Sequence, residues 1–184
     1  MLFPRLPVRQ WVLSVPKRLR HFMQRDGETL NMGLRIFLRV IAQSLQSNCS
    51  DAANADKEAL HIGAVALIHR FGSSLKEHVH FHVCVVDGVF EEVTGEGDAD
   101  VQAFAQALTP GVVFHPASAI DADAVTQAHA ALRRRILRAF VGRGPLEGFE
   151  GKEMLGHRHS GLCCLLYESP SPRVGLKYCM PSYA

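Results

Sequence analysis

The chain has 184 residues, of which 47% are hydrophobic, and a formal net charge of +2. This favours one compact domain, and no run approaches the roughly eighteen apolar residues that cross a bilayer. The N-terminus lacks a signal-peptide pattern, so we expect a cytoplasmic protein without a membrane partner. Five cysteines without a CxxC pair argue against a disulfide framework and against a structural zinc site.

The first third of the chain predicts a strand and two helices. Residues 10–15 are rich in β-forming side chains between two prolines, which indicates a short strand. Residues 17–25 predict a helix, and the apolar spacing of residues 30–45 predicts a second helix with a wide buried stripe. Residues 1–25 are basic and contain no acid, so they form a candidate phosphate-binding surface. On charge alone, an ordinary solvated basic face is an equal alternative.

The middle of the chain predicts two strands and a hairpin. A polar stretch, 47–59, is expected to be a surface loop. The next strand is predicted over 61–70, and because GAVALI is apolar on both faces we place it in the centre of a sheet. Residues 78–86 predict another strand, which the Asp87-Gly88 pair joins to 89–93 in a hairpin.

In the last part of the chain, we expect a weak helix over 101–108, a short strand over 112–115 and a strong helix that begins at Asp121 and ends near Gly142 or Gly144. Arg133 projects near the apolar side of that helix, and either snorkels or points into a site. After Gly156 no periodicity is evident. The elements predict an α+β fold, an antiparallel sheet covered by helices on one face, over residues 1–156, followed by an irregular tail over 157–184.

The chemistry is concentrated in the segment HVHFHV, residues 78–83. In an extended strand His78, His80 and His82 share one face, while Val79 and Phe81 point to the other. Two histidines at positions i and i+2 can chelate one divalent cation. A solvated row of imidazoles is the alternative, and spacing does not decide between His78 with His80 and His80 with His82.

Two blocks, LPVRQWVLSVPKRLR at 6–20 and RFGSSLKEHVHFHVCVVDGVFEE at 70–92, resemble the corresponding blocks of rolling-circle insertion-element transposases. These belong to the HUH superfamily of single-strand endonucleases, named for its His-hydrophobic-His motif. The resemblance runs from about Arg5 to about Gly156. It maps the metal ligands onto His80 and His82, with Phe81 between them, and leaves His78 as a neighbour of the site.

The resemblance implies a ferredoxin-like or RNA-recognition-like sheet with the histidine pair on a central strand. It further implies a divalent metal, Mg or Mn, and nicking and rejoining of single-stranded DNA by a tyrosine that forms a 5′-phosphotyrosine bond. Tyr178, in GLKYCMPSYA, is the best match to that nucleophile, ahead of Tyr167 and Tyr183. Candidate DNA-binding residues are the basic side chains of the N-terminal block: Arg9, Lys17, Arg18 and Arg20.

Residues near the histidines and the two matching blocks have more than one possible role. His69, Glu77 and Asp87 are each candidates for a third metal ligand, although Asp87 before a glycine is more often a turn residue. Trp11 and Phe71 are candidates for stacking on bases, with a core position favoured for Trp11. The family's cysteine-rich zinc segment has no counterpart here and the tyrosine segment matches loosely, so we expect a truncated copy.

A truncated copy need not be an active nuclease, so the sequence has two alternative functions. The first alternative is a non-catalytic remnant that binds single-stranded nucleic acid or a partner protein. The second is an unrelated metallohydrolase, which we disfavour because such a site does not account for the two matching blocks.

Overall fold

The computed structural model describes residues 6–71, 77–92, 111–156 and 163–168. The described residues form an α+β fold with two small antiparallel sheets and four α-helices. In chain order the elements are β1 (Val8–Ser14), α1 (Lys17–Arg25), α2 (Gly27–Asn48), a 3-10 helix (Ser50–Ala52), β2 (Leu60–His61), β3 (Ala64–Phe71), β4 (Glu77–Val86), β5 (Gly88–Glu92), β6 (Val112–Pro116), α3 (Ala122–Gly142), α4 (Gly148–Gly156) and β7 (Cys163–Glu168). None of the helices within these ranges combines the length and apolar character needed to cross a bilayer.

The first sheet has the strand order β3-β4-β1-β7, with every neighbouring pair antiparallel. Strand β4 therefore lies inside this sheet, between β3 and β1. Alternate side chains of β1 and β4 are fully buried on one face, among them Trp11, Leu13, Phe81 and Val83. The helices cover that face, and Trp11 is a core residue, as expected.

Helix α2 begins at a capped N-terminus, and a glycine within it permits close packing against the buried face. The Asp26 carboxylate accepts hydrogen bonds from the backbone N–H groups of Glu28 and Thr29, at 3.1 and 3.0 Å. A Cβ atom at Gly33 would lie only 2.6 Å from the Met23 Cε of α1 and 3.7 Å from the Phe81 ring. A glycine at this position thus lets α1, α2 and β4 meet.

Helix α3 begins where the sequence predicts, because the Asp121 carboxylate accepts a hydrogen bond of 2.7 Å from the N–H of Ala124. It buries Leu132, Ile136 and Phe140. Gly144, with φ of 90°, follows its end in the left-handed conformation that glycine favours. The guanidinium of Arg133, which is half-buried, donates to the carbonyl oxygens of Met154 and Leu155 at the end of α4.

The placement of β3 corrects the expectation of a central strand. Residues 61–70 divide into β2 and β3, which belong to different sheets. Among the described strands β3 lies at the edge of the first sheet, with Val65 65% and Leu67 52% exposed. Apolar residues on both faces therefore indicate an exposed edge here, and not a strand buried from both sides.

The hairpin predicted at Asp87-Gly88 is also wrong. Strand β5 does not pair with β4, but joins β2 and β6 in a second sheet of order β2-β5-β6. A Cβ atom at Gly88 would lie 2.3 Å from the carbonyl oxygen of His115. Glycine is required here by the close approach of β6, at the point where the chain passes from one sheet to the other.

Residues beyond Gly142 contain more structure than the pattern indicates. Helix α4 was not predicted, and β7 lies within the stretch expected to be irregular, where it pairs with β1 from Arg9↔Glu168 to Ser14↔Cys163. The weak helix expected over 101–108 lies outside the described residues.

Candidate functional site

The candidate site lies on the face of the first sheet opposite the buried Trp11 and Phe81. Strand β4 places His78, His80 and His82 on this open face, each partly exposed. The registers of the neighbouring strands put His69 of β3 opposite His80, and Val12 of β1 opposite His82. Because paired residues of antiparallel strands share a face, three strands contribute side chains to this surface.

Three imidazoles meet on the open face. The ring centroids of His80 and His82 are 5.1 Å apart, and the His69 ring lies 4.9 Å from His80 and 4.7 Å from His82. The centroid of the His78 ring lies 5.2 Å from that of His80, on the side of His80 that faces the start of the strand. The structure therefore groups His80 and His82 with His69, while His78 stands at the margin.

Each histidine of β4 has a hydrogen-bond partner that orients its ring. His80 donates from Nδ1 to the carbonyl oxygen of His78, at 2.8 Å, which leaves a lone pair on Nε2. The Nδ1 atom of His82 lies 2.7 Å from Nε2 of Gln10, and Nε2 of His78 lies 3.1 Å from Oγ of Ser14. These contacts restrict the rings to defined orientations.

The surroundings keep two of these histidines neutral. The pKa of His82 is lowered, first by partial burial and then by the imidazoles of His69 and His80. The pKa of His78 is lowered by partial burial, by the Arg20 guanidinium and by His80. A neutral imidazole is the form that binds a metal ion, so the environment favours ligation at His82.

His80 and His82 are the two imidazoles that could serve as ligands of a divalent cation. Within the described ranges no three His, Cys, Asp or Glu side chains are already arranged to hold a metal ion, although three imidazoles lie close together. The ring planes of His69 are tilted by 32° and 45° to those of His80 and His82, so these are ring-to-ring contacts.

The other two candidates for a third ligand lie away from the imidazoles. The carboxylate of Asp87 forms an ion pair with Arg9. Glu77 is exposed at the start of β4, and strand alternation assigns it to the face of Val79.

The basic residues of the N-terminal block have different environments. Arg9 is 5% exposed and its side chain forms an ion pair with Asp87, so it does not form part of an open phosphate-binding surface. Arg18 is exposed and forms an ion pair with Glu150 of α4, and Lys17 is exposed. Arg20 donates to the carbonyl oxygen of Val15, at 2.7 Å, and its charge acts on His78, which places it nearest to the imidazoles.

The structure does not describe the side chain of any of the three tyrosines. Tyr178 and Tyr183 lie outside the described residues. The backbone of Tyr167 belongs to β7 and pairs with Gln10. Gln10 was not identified as a site residue from the sequence. Strand alternation nevertheless places it on the face opposite Trp11, where its amide can form a hydrogen bond with another polar side chain.

Comparison with known proteins identifies a family. Residues 63–162 match the model of the family Y2_Tnp, described as "Putative transposase". No curated protein and no solved structure matches the chain. The matched residues are more than half of the chain and include β3 and β4, the strands that carry His69, His80 and His82. The chain therefore belongs to the Y2_Tnp transposase family.

Proposed function

We propose that this transposase-family chain is an HUH-type, rolling-circle enzyme that nicks and rejoins single-stranded DNA. The observation that carries the proposal is the grouping of His80 and His82 with His69 on the open face of an internal strand. A transposase must bind DNA, and this face presents both potential metal ligands and an accessible surface.

The arrangement of the elements supports the ferredoxin-like part of the proposal. When the second sheet is set aside, the chain runs β1, helices α1 and α2, β3, β4, helices α3 and α4, and β7. This is the β-α-β-β-α-β succession of the ferredoxin-like unit, with the helices acting as the two crossovers. The histidine pair then belongs to a strand in the middle of that unit.

The surface around the histidines supports recognition of unpaired bases. On β3 the exposed side chains of Val65 and Leu67 flank the imidazoles on the open face, and Phe71, which lies beyond a register shift at the end of the strand, is 58% exposed. Single strands offer the faces of their bases to such side chains, whereas a duplex conceals them. Arg20 and Lys17 lie at the start of α1, where they can contact the phosphate backbone.

His80 and His82 would hold the divalent cation, Mg or Mn. When bound, such an ion supplies Lewis-acid stabilisation of negative charge on the phosphate oxygens. The chain's own residues orient both imidazoles: the carbonyl of His78 accepts a hydrogen bond from His80, and Gln10 contacts His82, whose pKa is lowered by partial burial.

For the covalent step we propose Tyr178, on the resemblance of GLKYCMPSYA to the family's tyrosine segment. Its hydroxyl oxygen attacks the phosphorus of a phosphodiester and gives up its proton to solvent. The bond from phosphorus to the 3′ oxygen breaks, and that oxygen takes a proton to become a free 3′-hydroxyl. The resulting 5′-phosphotyrosine conserves the bond energy, so that a 3′-hydroxyl can reverse the reaction and rejoin the strand.

The test is a covalent-adduct assay with labelled single-stranded DNA from the ends of the element and Mn²⁺. We expect a protein-linked band that is lost in Tyr178→Phe, in His80→Gln with His82→Gln, and on removal of the metal. The control variant is His61→Gln, which changes an exposed histidine on β2 of the second sheet. A duplex of the same sequence should give no adduct.

Each failure of this assay has a distinct meaning. Retarded mobility of the single strand without any adduct would contradict the nuclease and support a non-catalytic binding domain. Metal-dependent hydrolysis of single strands and duplexes alike, without an adduct, would instead indicate a metallohydrolase.

A further inference from the structure

We propose that Gln10 is a positioning residue, which selects the tautomer of His82 and so decides whether His80 and His82 can act as a bidentate pair. The inference rests on the proposed metal site, but it concerns a side chain of β1, outside residues 63–162. Its basis is the contact of 2.7 Å between Nε2 of Gln10 and Nδ1 of His82.

This contact is built into the sheet. Gln10 pairs with Cys84 and His82 pairs with Val12, so Gln10 and His82 are diagonal neighbours on the open face of two hydrogen-bonded strands. Both side chains are partly buried there. The carboxamide therefore remains beside Nδ1 of His82 while the sheet is intact.

The two histidines of the pair differ in what their partners allow. The partner of His80 is a backbone carbonyl oxygen, which can only accept, so Nδ1 of His80 carries the proton and Nε2 keeps its lone pair. The partner of His82 is a carboxamide, which has an N–H donor and a carbonyl acceptor. Half a turn of the amide exchanges one for the other.

The two amide orientations have opposite consequences for ligation. When the amide N–H donates to Nδ1 of His82, as in the structure, a neutral His82 carries its proton on Nε2 and has no lone pair there. When the amide oxygen accepts from Nδ1–H, the Nε2 atom of His82 gains a lone pair that matches that of His80. Binding of a cation by both Nε2 atoms thus requires Gln10 to turn, and the turned amide then holds the ring as outer-shell partners do.

The tautomer can be measured directly, without metal or DNA. Nitrogen-15 NMR of the histidine side chains, recorded at about pH 8, distinguishes a protonated ring nitrogen from one with a lone pair. We expect His82 of the metal-free wild type to carry its proton mainly on Nε2, and Gln10→Glu to move the proton to Nδ1, because a carboxylate only accepts. The same His82 tautomer in both proteins would overturn the proposal.

The second readout is the Kd for Mn²⁺ alone, measured by titration calorimetry. Gln10→Met keeps the length of the side chain but replaces the carbonyl oxygen by a thioether sulfur, which is only a weak acceptor for Nδ1–H. Loss of an outer-shell partner weakens metal binding by about 10-fold to 100-fold, so we expect the Kd of Gln10→Met for Mn²⁺ to rise by a factor in this range. Gln10→Glu should bind Mn²⁺ more tightly than the wild type. An unchanged Kd in Gln10→Met would count against the proposal.

Ser14 provides the matched control for added charge. It lies on the same strand and face, but it contacts His78 and not His82. Ser14→Asp should leave the tautomer of His82 unchanged and should tighten Mn²⁺ binding less than Gln10→Glu. Equal gains in the two variants would show that charge alone explains the effect, and would overturn the role of Gln10.

The two readouts also separate this inference from the proposed function. If Gln10→Glu changes the His82 tautomer but neither the wild type nor any variant binds Mn²⁺, the role of Gln10 in setting the tautomer is supported and the metal-dependent function fails. If Mn²⁺ binds but the tautomer does not depend on Gln10, the metal site is supported and the role of Gln10 is refuted.

Discussion

The two faces of β4 show how one strand serves both packing and chemistry. On one face Val79, Phe81, Val83 and Val85 are fully buried under the helices. On the other, His78, His80 and His82 remain partly exposed beside polar side chains from β1. Successive side chains of a strand point to opposite faces of the sheet. The packed face can therefore fix the position of the strand while the open face carries reactive groups.

The two faces also differ in the number of contacts that hold their side chains in place. The buried face is held by many apolar neighbours, any one of which contributes a part of the packing. The open face depends on single contacts between residues far apart in sequence, such as Gln10 with His82. Substitutions on the two faces should therefore affect different properties: stability on one, ligand binding on the other.

The largest expected effect on stability is that of Phe81→Ala. Removal of a fully buried phenyl ring leaves a cavity and costs about 3 to 5 kcal/mol of unfolding free energy. On the open face, His82→Ala loses one hydrogen bond and should cost only about 1 kcal/mol. Urea denaturation of both variants tests the comparison, and similar losses would show that the open face is also part of the core.

The elements with strong local signals were predictable from the sequence. Helices α1 and α3 have the predicted bounds, with Asp121 as the N-cap of α3, and α2 extends the predicted helix by three residues at each end, because apolar spacing and capping are local features. The alternation of β4 likewise predicted which side chains are buried. That His80 and His82 share an accessible face therefore follows from sequence alone.

Strand pairing was not predictable, because it depends on residues distant along the chain. An apolar run such as GAVALI is compatible with a central strand, yet β3 lies at an edge and is largely exposed. The same limit applies to the second sheet and to β7. The position of His69 beside the pair and that of Gln10 beside His82 follow only from the β3-β4 and β1-β4 registers.

A smaller effect on stability is expected from pH. The pKa values of His78 and His82 are lowered in the folded state, chiefly by partial burial, so the unfolded chain binds protons more readily below the ordinary value of 6.5. This contribution to stability is fully present above pH 6.5 and is lost as the pH falls toward the folded-state pKa values.

Removal of both titrating groups tests this linkage. Unfolding free energies of the double variant His78→Gln with His82→Gln should depend less on pH between about pH 7 and pH 5 than those of the wild type. His61→Gln, on the exposed β2, is the control and should retain the wild-type dependence. A double variant with an undiminished slope would contradict the effect of burial on these two histidines.

The smallest effect on stability, and a clear effect on binding, is expected for Phe71→Ala. Phe71 is 58% exposed at the end of β3, so its loss should change the unfolding free energy by no more than about 0.5 kcal/mol. If its ring stacks on a base, single-stranded DNA should bind more weakly by about 1 to 3 kcal/mol, which fluorescence anisotropy measures. Phe149→Ala is the matched control, because Phe149 is 69% exposed but belongs to α4 in the helical layer. A loss of affinity in Phe71→Ala alone would place the DNA on the sheet side, whereas equal losses, or a loss in Phe149→Ala alone, would move the binding surface away from the histidines.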